Sequence, residues 1–150
     1  MKKIIHIKNQ EEMAQFAKEF AKKTTAKPPK IIALKGTLGA GKSFFAKNFI
    51  NALQENKEEI LSPTFNICLN YQTKLGEVSH FDLYRIKNKD ELENVGFFES
   101  LKNNICLIEW PEIALNYLKT LPGFALLELD IAGEEERKIA VSSNSVIARP

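Results

Sequence analysis

Ile31-Ile-Ala-Leu-Lys-Gly36-Thr-Leu-Gly-Ala-Gly41-Lys42-Ser43-Phe44 is an apolar run that feeds a glycine loop closed by lysine and serine. The next segment, Phe44–Gln54, carries apolar residues at 45, 46, 49, 50 and 53, the spacing of one helical face. The order is therefore buried strand, glycine loop, helix, the context in which Gly36-x-x-x-x-Gly41-Lys42-Ser43 reads as a P-loop. Each residue type has a chemical reason. Glycines let the backbone curl so that N–H groups from Gly36, Gly39, Ala40, Gly41 and on to Phe44 turn toward one phosphate, at the positive end of a helix. Lys42 supplies a mobile ammonium for the β- and γ-phosphates, and Ser43 offers a hydroxyl to magnesium.

Upstream, Ile4–Ile7 predicts a short strand, and Asn9 with Glu12 resembles a capping box ahead of a helix whose face carries Met13, Phe16, Ala17 and Phe20. Lys27-Pro-Pro-Lys30 predicts the stop of that helical region. Downstream, Asn66–Gln72 and Glu77–Leu83 read as a hairpin about Lys74-Leu75-Gly76. Short helices are expected at Asn88–Val95, Phe98–Lys102 and Glu112–Leu118, and strands at Ile105–Ile108, Phe124–Ile131 and Lys138–Val141. Alternating strands and helices predict an α/β fold, a P-loop NTPase-like three-layer sandwich whose mixed sheet has antiparallel additions. With 150 residues, no repeat and no linker, residues 1–150 are expected to form one domain.

Composition excludes several classes. At 44% hydrophobic and 27% charged the chain is neither disordered nor membrane-spanning, and no apolar run reaches the ~18–20 residues that cross a bilayer. The opening MKKIIHIKNQEEM has too short an apolar stretch for a signal peptide, so a cytoplasmic location is expected. Cys68 and Cys106, far apart and inside apolar runs, read as buried free thiols. Eighteen lysines and three arginines give a net charge of +2, with acidic clusters at Glu55–Glu59 and Glu134–Glu136. That is a solvated lysine-rich surface rather than the basic excess of a charge-driven nucleic-acid binder.

Phosphoryl transfer needs a carboxylate to hold the metal, and Glu109 closes the apolar run Ile105-Cys-Leu-Ile108 where such a group belongs. Asp82 in His80-Phe-Asp-Leu-Tyr-Arg85 is the second candidate; it either faces the site, caps a turn or pairs with Arg85. Thr64, after Ser62-Pro63, either senses the γ-phosphate as switch loops do or makes a local turn hydrogen bond. Trp110, the one tryptophan, reads as core or interface, and His6 and His80, without partners at metal-ligand spacing, read as structural.

The motifs together resemble the bacterial TsaE (YjeE) family, the ATPase component of tRNA threonylcarbamoyladenosine biosynthesis. The resemblance rests on Gly36–Ser43, Ser62-Pro-Thr-Phe65, His80-Phe-Asp-Leu-Tyr-Arg85, Glu91-Leu-Glu93 with Gly96, and Glu109-Trp-Pro111, in that order. It implies ATP/ADP and Mg2+ as cofactors, with Lys42 on phosphate and Ser43 and Glu109 on the metal. It further implies Asp82 in hydrolysis, Thr64 on a switch-like loop and Trp110 close to the nucleotide. The implied partners are TsaB and TsaD, which transfer the threonylcarbamoyl group to adenosine 37 of tRNA; ATP hydrolysis would reset that complex, and tRNA would be met indirectly. Two positions depart from the pattern: Thr37, where many relatives carry an acid, and Ser43, a serine in place of threonine that keeps the metal hydroxyl.

Other nucleotide readings fit less well. A guanine site needs Asn-Lys-x-Asp, which Asn88-Lys-Asp-Glu91 misses, and Asp82-Leu-Tyr-Arg85 lacks the glycine of a GTPase switch. A small-molecule kinase commonly gathers arginines around the phosphates, whereas Arg85 alone lies between the P-loop and Glu109. A nucleotide-dependent regulatory module, whose bound state rather than turnover matters, is not separated from an ATPase by these motifs.

Overall fold

The computed structural model describes residues 2–24, 30–56 and 58–144. Seven strands form one sheet: β1 (Lys2–Ile7), β2 (Lys30–Gly36), β3 (Cys68–Thr73), β4 (Gly76–Asp82), β5 (Ile105–Glu109), β6 (Phe124–Ile131) and β7 (Arg137–Ser143). Their order across the sheet is β1-β7-β6-β2-β5-β4-β3. The centre is parallel, with β2 between β5 and β6 and β4 beside β5. Both flanks are antiparallel, β3 on β4 at one edge and β6, β7 and β1 at the other. This is the mixed sheet with antiparallel additions that the pattern predicts.

Strand alternation explains the layers, since successive side chains point to opposite faces. Ile32, Leu34, Ile105, Leu107, Ala125 and Leu127 pack on one face with α1 (Gln10–Lys23) and α2 (Lys42–Leu53). Ile31, Ala33, Cys106, Ile108, Phe124 and Leu126 pack on the other with α3 (Asp90–Asn94), α4 (Phe97–Asn103), a 3-10 turn at Pro111–Ala114 and α5 (Leu115–Leu118). All five residues of β5 are buried because helices cover it on both sides. Phe16 and Phe20 of α1 meet Phe45 and Phe49 of α2, with ring centroids 5.8–6.4 Å apart across the seam. Aromatic pairs of this geometry contribute ~0.5–1.5 kcal/mol each beyond burial.

Several boundaries differ from expectation for local reasons. Asn9 Oδ1 accepts from Glu12 N–H at 3.0 Å, but Glu12 Oε1 reaches back to Lys8 N–H (2.8 Å), one residue before the expected partner. The helix stop at Lys27-Pro28-Pro29 lies outside the described residues, and Lys30 already belongs to β2. The hairpin strand begins at Cys68 rather than Asn66, because Ile67 N–H closes onto Pro63 O (2.6 Å) with Ile67 at φ 67°. That left-handed conformation is an outlier for a β-branched residue. Asp82 N–H, donating to Ile67 O at 2.8 Å, pins the kink to the end of β4. The expected helix at Glu112–Leu118 is split into the 3-10 turn and α5.

Candidate functional site

β2 delivers the glycine loop. A Cβ on Gly36 would stand 2.6 Å from Leu129 O, so only glycine lets the end of β2 pass this close to β6. Gly41 sits at φ 108°, in the left-handed region, and caps the N-terminus of α2 with Phe45 N–H donating to its carbonyl. Lys42 therefore begins the helix and folds back over the loop. Its ammonium donates to Gly36 O at 2.6 Å and Thr37 O at 2.9 Å, and lies 4.1 Å from the centre of the Trp110 ring. Burial lowers its pKa from 10.5, opposed by the negative charges of Glu109, Glu112 and Asp82.

β4 and β5 deliver the acids. Their register pairs Asp82 with Glu109, so two carboxylates end adjacent parallel strands. His80 and Asp82 share the β4 face that carries Val78, and Glu109 shares the β5 face that carries Leu107; both faces look toward α1 and α2. Glu109 is buried, and its Oε1 accepts from Ser43 Oγ at 2.8 Å while its Oε2 lies 2.6 Å from His80 Nε2. Asp82 Oδ1 accepts from Tyr84 N–H (3.0 Å), and Oδ2 accepts from Thr64 Oγ1 (3.2 Å). With the Thr64 hydrogen committed there, Ser62 Oγ donates to Thr64 Oγ1 at 2.8 Å. The turn-capping and site-facing readings of Asp82 thus hold together, one oxygen each. The Asp82–Arg85 pair is absent from the ion pairs among the described residues, which are Lys2–Glu128 and His80–Glu109. The Thr64 hydroxyl bonds both within its turn and to Asp82.

These groups open into one cavity of about 390 Å³. Gly39, Gly41, Lys42, Ser43 and Phe44 line it from the loop and α2, and Thr64, Asp82, Glu109 and Trp110 line it from the strand ends. Gly36 and Ala40 stand behind the loop: Gly36 O holds Lys42, and Ala40 N–H closes a turn onto Thr37 O at 3.1 Å. Trp110 adopts φ 53° immediately before Pro111, a costly conformation for tryptophan, and its ring packs on Lys42 and, at 4.8 Å between centroids, on Tyr84. The oxygen donors Ser43 Oγ and Glu109 Oε1 suit a hard cation such as Mg2+. No cluster of three or more His, Cys, Asp or Glu side chains able to hold a metal occurs among the described residues. A cation here would take its remaining ligands from phosphate and water, as Mg2+ commonly does.

Two residues that spacing did not mark belong to this neighbourhood. His80 holds Glu109, and the signal was its period-two relation to Asp82 on one strand face. Arg137, at the start of β7, donates to Gly39 O (Nη2, 3.1 Å) and Ala40 O (Nε, 3.2 Å), and through Nη1 to the carbonyls of Gly133, Glu134 and Glu136. No local motif announces a contact made across nearly a hundred residues. Cys106 is buried and Cys68 half-buried; burial raises both thiols, Cys68 to about 11.

The sequence model of the family described as threonylcarbamoyl adenosine biosynthesis protein TsaE matches residues 7–139. The chain belongs to the TsaE family. A TsaE of Rickettsia felis is 38% identical over 93% of this chain and 79% of its own length. The Aquifex aeolicus TsaE is 33% identical over 94% of this chain and 96% of its own. Among solved structures, Bacillus subtilis YdiB superposes with a TM-score of 0.70 at 28% identity, covering 94% of this chain and 84% of that one. The TsaE match spans the glycine loop and both acidic strand ends. No helix among the described residues is long and apolar enough to cross a membrane.

Proposed function

We propose that this chain is a cytoplasmic single-domain Mg2+-dependent ATPase that supports formation of N6-threonylcarbamoyladenosine at position 37 of tRNA. Its partners would be TsaB and TsaD-like proteins, with tRNA met through them, and hydrolysis would reset that complex between rounds. The observation that carries the reading is the convergence of Lys42, the Ser43–Glu109 pair and the Asp82–Thr64 pair on one cavity at a helix N-terminus. Lys42 would exchange its two carbonyl partners for β- and γ-phosphate oxygens, and the inward backbone N–H groups would hold the β-phosphate. Ser43 and Glu109 would hold Mg2+, which when bound neutralises charge on the phosphates. Asp82 would orient a water for in-line attack on the γ-phosphorus; the bond to the β,γ-bridging oxygen breaks, and ADP and phosphate leave. The ring of Trp110 would shield Lys42 from solvent.

The test is a reconstituted tRNA modification assay with the partner proteins, counting modified tRNA per complex with and without this chain. Sustained turnover that needs the chain and fails with Glu109→Ala is the expected result. If leaving the chain out changes nothing, the assignment to this pathway falls, and a kinase or regulatory switch becomes the better account of the same cavity.

A further inference from the structure

Resting on the reading of Ser43 and Glu109 as the metal-holding pair, we propose that His80 is a positioning residue that fixes the Glu109 carboxylate for the cation. A carboxylate at the end of a glutamate side chain rotates over a broad, roughly two-fold torsional profile, so burial alone does not decide which oxygen faces Ser43. Two partners from different elements remove that freedom. Ser43 Oγ, at the start of α2, donates to Oε1 at 2.8 Å, and His80 Nε2, on β4, meets Oε2 at 2.6 Å. With the Ser43 hydrogen directed at Glu109, the lone pairs of Ser43 Oγ are left for a cation.

The imidazole itself argues against mere space filling. His80 is fully buried, and its Nδ1 has no hydrogen-bond partner. Burying an unpartnered polar nitrogen is unfavourable, and an apolar side chain of similar volume avoids that cost. The one bond the ring does make goes to the metal-side carboxylate, and because a carboxylate only accepts, Nε2 carries the hydrogen. β4 is hydrogen-bonded on both sides, to the edge strand β3 and to β5, so the ring is mounted on backbone that is fixed within the sheet. Groups that orient a metal ligand from behind in this way typically change metal affinity roughly 10–100-fold when removed.

The experiment measures affinity for a non-hydrolysable ATP analogue by calorimetry, once in saturating Mg2+ and once in EDTA, and compares the ratio between proteins. His80→Phe fills the space without a donor, His80→Asn keeps a polar group too short to reach Glu109, and His80→Gln places an amide N–H near the position of Nε2. The expected result is that Phe and Asn lower the Mg2+-dependent gain by roughly tenfold or more while affinity in EDTA stays within about twofold, and that Gln recovers most of the gain. A purely structural role would lower folded fraction in both conditions and leave the ratio unmoved. Full Mg2+ gain in folded His80→Phe or His80→Asn, or no recovery by Gln, would overturn the assignment. If the unaltered protein shows no gain from Mg2+, the metal reading of Ser43 and Glu109 fails first, and the role of His80 falls with it.

Discussion

The glycine loop and the acidic strand ends face each other across one cavity, yet they are built in opposite ways. Gly36–Ser43 is local: eight consecutive residues carry the turn, the helix start and the ammonium, and Lys42 is held by carbonyls five and six residues away. The acidic side is assembled at a distance. Asp82 and Glu109 are neighbours only because β4 and β5 pair in parallel register, and the Ser43–Glu109 bond spans 66 residues. A contiguous site tolerates remote change as long as its own backbone is kept. An assembled site depends on sheet register, and a one-residue slip between β4 and β5 would turn one acid to the opposite face.

The contrast can be broken from either side. The largest expected loss of binding is from Lys42→Ala, which removes charge-assisted phosphate contacts worth ~1.5–3 kcal/mol each, so affinity should fall on the order of 100-fold. Calorimetry with ADP checks this; unchanged affinity in a folded Lys42→Ala protein would remove the ammonium from the phosphate site. A smaller effect, about tenfold, is expected for Arg137→Ala, because two of its bonds hold the Gly39 and Ala40 carbonyls and so fix the orientation of their peptide planes. Arg137→Ala binding ADP as tightly as the unaltered protein would show that the loop is as local as its sequence suggests.

The same distinction explains what was legible in the sequence. The strand–loop–helix unit and the apolar runs of β5 and β6 were readable because their determinants are contiguous and periodic. Glu109 could be singled out as the charge that closes a buried run. Spacing does not decide between the roles open to Asp82 and Thr64, since one Asp82 oxygen caps the turn at Tyr84 and the other meets Thr64, a division no spacing encodes. Spacing along the chain gives His80 no partner, because the group it meets, Glu109, lies on the neighbouring strand. Ile67 falls inside the expected strand because β-branched residues favour strands, and here a local turn bond from Ile67 to Pro63 and a tertiary bond from Asp82 to Ile67 outweigh that preference. The contact of Arg137 with the glycine loop left no trace in the sequence, since the two partners there are main-chain carbonyls 97 and 98 residues upstream.

The most direct test of the account is Asp82→Asn measured for both nucleotide affinity and ATP hydrolysis in the presence of the partner proteins. If the loop binds and the strand ends act on what it binds, affinity stays within about threefold while hydrolysis falls on the order of 10²–10⁴-fold. Hydrolysis at the unaltered rate in Asp82→Asn would contradict the division of labour between the two regions.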